Sequence, residues 1–336
     1  MTYEIFVSLL IHRIKNYLPD EWQDAEIRHI QVEKINYLKE AVEFVRPQRE
    51  GEKRVLAPNF SVYPFYEKFM QGANLEEVFR EIADTVVYAD MQASPIGDNL
   101  ELDKMKENII FELINTEQNK EFLERVPHRE FQDLSVVYLW NISCDENGLA
   151  TATVTNHLAE YMELNEKELF QLAWENTRRL FPVVIKPMHV IVDELMGNIK
   201  SEARPMLEID KDEPIHVITN SLRSKGAACI LYEEELSHLS EALGEDFYLL
   251  PSSRHEFLAL GKEVMEIDHL AEMVHEINQT EVELEDRLSN QIYQYDSKAR
   301  KVSIVSDSPF KRIDGRMSEA DLAYEKECRE KSRAGR

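Results

Sequence analysis

The chain is poor in cysteine and glycine, short of positive charge, and without a long apolar run. Its three cysteines, Cys144, Cys229 and Cys328, are odd in number and far apart. That excludes a disulfide framework and a C-x-x-C motif, and single buried thiols in a reducing compartment are expected instead. The apolar stretch Ile5 to Ile11 sits between Glu4 and His12-Arg13. It lacks the basic flank and small-residue cleavage site of a secretory signal. Nothing approaches the ~20 apolar residues of a membrane span, so a cytoplasmic location is expected. Against 64 Asp and Glu stand 39 Lys and Arg, a formal charge of −25. That balance opposes nucleic-acid phosphates and anionic membranes, and no Lys/Arg cluster with interleaved aromatics offsets it.

What is present is a globular composition. Apolar residues make up 43% and charged residues 31% of 336 positions, enough for one large domain or two smaller ones. Phe6, Leu10 and Ile14 recur at helical spacing. Ala25 to Val45 reads as two strands about Asn36, and a short strand is expected near Val55-Leu56. Asn74 with Glu77, and Asn165 with Glu168, have the form of helix-opening capping boxes. Between these helices lie a stretch with Pro95 and Gly97 that suggests a subdomain boundary, an apolar strand Ile109 to Ile114, a helix from Glu117, and a hairpin across Asn147-Gly148.

The last third alternates. Strands are expected at Ile215-Thr219, Ala227-Tyr232, Phe247-Leu250, Phe257-Leu260, Gln291-Tyr295 and Val302-Val305, with helices at Glu234-Leu243 and Ile267-Ile277. Asn278 fits a helix stop. Neighbouring strand pairs with helices between them give an α+β fold: a mixed or mainly antiparallel sheet with helices packed on its faces. The expected division is residues 1–92, an N-terminal α+β subdomain; 93–296, the main domain; and 297–336, a charged tail, flexible or a solvated helix.

Several segments then match a known pattern: Ile218-Thr219-Asn220, Lys225 to Tyr232, Asp246 to Glu256, Met273 to Asn278, and Leu288 to Asp296. With Phe131 to Leu134, the end of the helix before Pro182, and Pro64 to Gly72, they resemble the domain-of-unknown-function family numbered 5688. The order of elements in the last third is more faintly similar to the family numbered 1444. The resemblance implies a shared fold and an origin among anaerobic gut Firmicutes; it implies no activity, cofactor or catalytic residue.

The chemistry-bearing feature is the polar turn Pro251-Ser252-Ser253-Arg254-His255-Glu256. Ser252 or Ser253, His255 and Glu256 are the residue types of a nucleophile, a base and an orienting carboxylate. Neighbours on a strand point to opposite faces, so Glu256 is not expected to orient His255, and no G-x-S-x-G elbow exists. The ordinary reading is hydroxyls bonding the backbone of a tight turn. Asn220, beside the small run Gly226-Ala227-Ala228, marks a second turn of close backbone approach and a candidate ligand contact. His189 with Asp193, and Asp268, Glu272 and His275, share helix faces, but no H-E-x-x-H is present; they read as solvated faces, and no metal or cofactor is expected. The favoured reading is a cytoplasmic protein- or ligand-binding module with another protein as its partner. The alternative is a hydrolase-like enzyme that joins Ser252 or Ser253 and His255 to a distant acid.

Overall fold

A computed structural model describes residues 1–51, 57–98, 102–145, 148–198, 205–262 and 265–314. The expected strand at Val55-Leu56, the turn residue Asn147 and everything beyond Asp314, Cys328 included, lie outside the described residues. The chain divides into two compact units, Met1–Lys104 and Met105–Arg336.

In the first unit α1 (Tyr3–Arg13) precedes an antiparallel sheet of β1 (Glu26–Lys34), β2 (Tyr37–Val45) and β3 (Asn59–Phe60). Asn36 supplies a positive φ of 73° to the tight turn that sets Lys34 opposite Tyr37, a conformation asparagine tolerates better than most residues. Then come α2 (Tyr63–Met70) and α3 (Leu75–Asp98), with the Asn74 carboxamide accepting the Glu76 N–H at 2.8 Å. Phe6, Leu10 and Ile14 share one buried cluster with Val42, Phe44, Phe79 and Ile82. Helix α3 continues through Pro95 and Gly97, and the division between units falls after Lys104.

A short α4 (Leu102–Lys106) leads into the second unit. There β4 (Ile109–Asn115) pairs with the long β6 (Leu134–Asp145). The other edge of β6 carries β5 (His128–Phe131) and then β7 (Gly148–Thr153), with α5 (Lys120–Leu123) ahead of β5. After α6 (Asn156–Tyr161) comes α7 (Glu166–Leu180), whose capping box between Asn165 and Glu168 forms in full.

The remaining elements are β8 (Val183–Pro187), α8 (Met188–Leu195), β9 (Ile215–Asn220), α9 (Glu233–Leu243), β10 (Phe247–Ser253), β11 (Glu256–Gly261), α10 (Ile267–Thr280), β12 (Tyr293–Asp296) and β13 (Lys301–Ile304). The sheet order is β13-β12-β10-β11-β9-β8, antiparallel throughout. Sheets and helices together make the protein α+β.

Three local expectations change. Ala227 to Tyr232 is not a strand; Gly226–Leu231 forms a 3-10 helix. Gly226 to Ile230 are all buried, so no alternation separates strand from helix, and β9 already has β8 on one side and β11 on the other. Asn278 does not stop α10, which runs to Thr280; its carboxamide bonds the Ser289 carbonyl and the Asn290 side chain, both at 2.9 Å. Residues 297–314 of the segment read as a tail are built into the fold, with β13 paired along β12. Of the thiols, Cys229 is buried and Cys144 exposed.

Asp246 ties the start of β10 to the β12–β13 turn. Its carboxylate accepts the Ser297 hydroxyl at 2.6 Å, the Ser297 N–H at 2.9 Å and Lys262 Nζ at 3.1 Å. The Ser297 bonds and then Lys262 hold its pKa down from 3.8 to about 2. A carboxyl depressed in the fold contributes stability above its unfolded pKa and loses it as pH falls through the folded value. We therefore expect wild type to lose stability between about pH 4 and pH 2, and Asp246→Ala to lack that step. Urea denaturation at stepped pH measures it; parallel curves for the two proteins would refute the assignment.

Candidate functional site

The polar turn Pro251 to Glu256 lies where the two sheets of the second unit meet. Ser253 pairs with Glu256 across β10 and β11, leaving Arg254 and His255 as the turn, with a register shift between Pro251 and Ser253. The Ser253 hydroxyl accepts the His255 N–H at 3.0 Å and donates to Glu256 Oε1 at 2.9 Å. Glu256 therefore closes the turn through Ser253. Ser252 is half-buried beside it. Among the described residues no hydrogen bond joins either serine hydroxyl to the His255 ring.

The imidazole faces elsewhere. Nδ1 accepts the Lys225 backbone N–H at 3.1 Å, and Nε2 lies 3.0 Å from Asp286 Oδ1. A backbone N–H can only donate, so Nδ1 is the unprotonated nitrogen and Nε2 donates to Asp286. Neither nitrogen is left to take a proton from a serine. The distant acid is real, but it completes a brace and not a relay. Arg254 belongs to the same brace: its N–H donates to the Asp286 carbonyl at 2.8 Å, and its Nε lies 3.3 Å from the Asp286 carboxylate.

Glu112 extends the brace into the other sheet. It sits in β4, whose residues are all buried, and Lys225 Nζ donates to its two oxygens at 3.0 and 2.9 Å. Arg254 Nη1 lies 3.8 Å away. The Glu112 side chain is 1% exposed, and a carboxylate so placed needs such partners to offset its desolvation. Sequence reasoning misses Glu112, Lys225 and Asp286 as members. The available signal was a lone acid inside the apolar run Ile109 to Ile114, since a charge on a buried strand demands a buried counter-charge.

Asn220 organises the loop that delivers Lys225. Its side chain donates to the Ser224 carbonyl at 2.8 Å and accepts the N–H groups of Leu222 and Ser224 at 3.1 and 3.3 Å. Within this loop Arg223 and Lys225 take positive φ angles of 54° and 57°, each unfavourable by about 1 kcal/mol for a residue with a side chain. Arg223 is tethered to Glu194, which also accepts Lys186 Nζ at 2.6 Å. Burial works against the Glu194 carboxylate, but Lys186 and Arg223 outweigh it and hold its pKa below the ordinary carboxylate value.

A second, half-buried carboxylate joins the sheets farther along. Asp133 accepts Ser289 Oγ at 2.6 Å and the Tyr293 hydroxyl. Burial pushes its pKa up, and those two hydrogen bonds oppose the rise. Close by, an open cleft of about 310 Å³ lies between the β5–β6 turn, the 3-10 helix, α9 and the β12–β13 hairpin. Ile230, Leu236, Tyr295 and Val302 give it an apolar lining. At its mouth Arg300 forms a two-bond pair with Glu233, both bonds at 2.6 Å, and Tyr295 donates to the same carboxylate at 2.9 Å. Gln132 holds the wall by donating to the Val302 carbonyl at 3.3 Å and accepting the Ile304 N–H at 3.4 Å, which occupies part of the β13 edge.

The helix faces weighed for metal stay apart. His189 lies 3.0 Å from Glu213, and His275 stacks on Phe310 with ring centroids 3.9 Å apart. Among the described residues no group of three His, Cys, Asp or Glu is placed to hold a metal ion, and no helix is long and apolar enough to cross a membrane.

Fold and site together define an α+β protein whose polar turn is a charged brace between two antiparallel sheets. The chain belongs to the family of unknown function DUF5688, whose profile matches residues 3–297. No curated protein and no solved structure matches it.

Proposed function

We propose that the chain is a cytoplasmic binding module that takes a small amphipathic ligand in the Tyr295 cleft. The observation that carries the reading is the cleft itself: an apolar floor with cationic and anionic groups confined to its mouth. Its volume of about 310 Å³ is at the low end for ligand sites, which suits a molecule the size of an aromatic acid or amine. Arg300 and Glu233 offer one charge of each sign to a polar end. The buried Cys229, whose thiol pKa burial pushes up, suits a reducing compartment.

The hydrolase alternative is not favoured, because both His255 ring nitrogens are engaged by Lys225 and Asp286. Two measurements test the reading. In a thermal-shift panel of small aromatic and aliphatic acids and amines, a compound at 100 times its Kd adds about 2.7 kcal/mol to wild type. Leu231→Trp, which fills the cleft from a half-buried position, should abolish that shift. A shift that survives Leu231→Trp, or no shift across the panel, refutes the cleft. A fluorophosphonate probe should leave Ser252 and Ser253 unlabelled. Labelling lost in His255→Ala would restore the hydrolase.

A further inference from the structure

The stretch Ser289-Asn290-Gln291 is polar and yet at most 1% exposed. Ser289 Oγ is spent on Asp133 and the Gln291 N–H, whereas the Asn290 and Gln291 side chains are spent on one segment outside helix and strand, residues 305–314. Gln291 grips Ser308 on both sides, donating to its carbonyl at 3.0 Å and accepting its N–H at 3.1 Å. Asn290 donates to the carbonyls of Phe310 and Arg312 at 2.9 and 3.3 Å. Gln279 and Arg287 both donate to the Ile313 carbonyl, at 3.3 and 3.0 Å. Ser306 Oγ donates to Gln291 and accepts the Ile292 N–H, both at 2.8 Å. The Phe310 ring lies flat on His275, with 4° between the planes.

These contacts read main-chain carbonyls and amides, one hydroxyl and one aromatic ring. That is how a groove recognises an extended peptide: the backbone supplies affinity and a few pockets supply specificity. The groove residues, Gln279 to Gln291, fall within the family match, which ends at residue 297, whereas the segment they hold lies beyond it. We propose that this groove is a peptide-binding surface for a segment of a partner protein, of the pattern Ser-x-x-x-Phe, and that residues 305–314 occupy it in cis. A segment on the same chain competes at millimolar effective concentration, so the partner gains access when the strap is released.

The test uses the full chain with a specific protease site inserted between Val305 and Ser306, before and after cutting. A fluorescein-labelled peptide of residues 306–314 is titrated and followed by anisotropy. The cut chain should bind it saturably, about thirtyfold more tightly than the uncut chain. A peptide carrying Phe310→Ala should bind about tenfold more weakly. Equal binding before and after cutting, or no saturable binding by a cut chain that still unfolds cooperatively, overturns the proposal. A cut chain that loses its cooperative transition also overturns it, since the strap would then be core. An uncut chain that is a dimer, dissolved by Phe310→Ala, would seat a second copy there and overturn the partner assignment.

Discussion

Gly226→Ala is expected to destabilise the protein by about 3 kcal/mol, the upper range for forcing atoms into a filled site. A Cβ at this position would stand 2.3 Å from Thr219 Oγ1, 2.5 Å from the His255 carbonyl oxygen and 2.7 Å from the Asn220 N. Two of those atoms are backbone, and Thr219 Oγ1 is itself held by donating to the His255 carbonyl at 2.8 Å. The residue's φ is not in the positive region, so the penalty is one of space and not of conformation. Gly244 provides the control: its φ is +82°, and a Cβ added there would have nothing within 4 Å. Gly244→Ala should lose only the left-handed preference of glycine, about 1 kcal/mol. Calorimetry or urea denaturation of the two variants decides it. Equal losses would mean that the close approach of the 3-10 helix to the His255 turn does not carry weight.

Glu112→Ala is expected to cost about 3–5 kcal/mol, because it leaves Lys225 Nζ inside the protein without its carboxylate. The Lys225 side chain is 12% exposed and cannot reach water without leaving its place. Replacing both partners, Glu112→Leu with Lys225→Met, removes the uncompensated charge and fills similar volume, so the double variant should recover most of the loss. Arg254 keeps Asp286 as a partner in that background. A loss below about 1 kcal/mol for Glu112→Ala, the size of an exposed pair, would show that the brace is solvated. A double variant no better than the single would show that the ions themselves, and not their balance, join the sheets.

The two variants probe one junction from two sides, and the ligand binding proposed for the cleft would depend on that junction indirectly. The 3-10 helix that starts at Gly226 carries Ile230 and Leu231 into the cleft wall. A shift of its first turn therefore moves the lining of the site, and Gly226→Ala should weaken any ligand found in the thermal-shift panel as well as the fold.

Much of the secondary structure was legible because its signals are local. The Asn165–Glu168 box, the turn at Asn36 and the stripe Leu270, Ala271, Val274 each involve residues within one or two turns of chain. Hydrogen-bond donors and apolar spacing at that range act before any tertiary contact forms. The α+β class followed from their order. The partners of His255 were not legible: Lys225 is 30 residues before it and Asp286 is 31 after. Glu112 is 113 residues from Lys225. No periodicity spans such distances.

Local signals were thus enough for the class of fold, most of its elements, the net charge and the family. Tertiary contacts made the polar turn a brace, coiled Gly226–Leu231 instead of pairing it, and set Asn290 and Gln291 to clasp the chain beyond β13. The reason is physical. A strand or helix is chosen by its neighbours, whereas the role of a buried polar group is chosen by whichever distant group the fold brings to its hydrogen-bonding atoms.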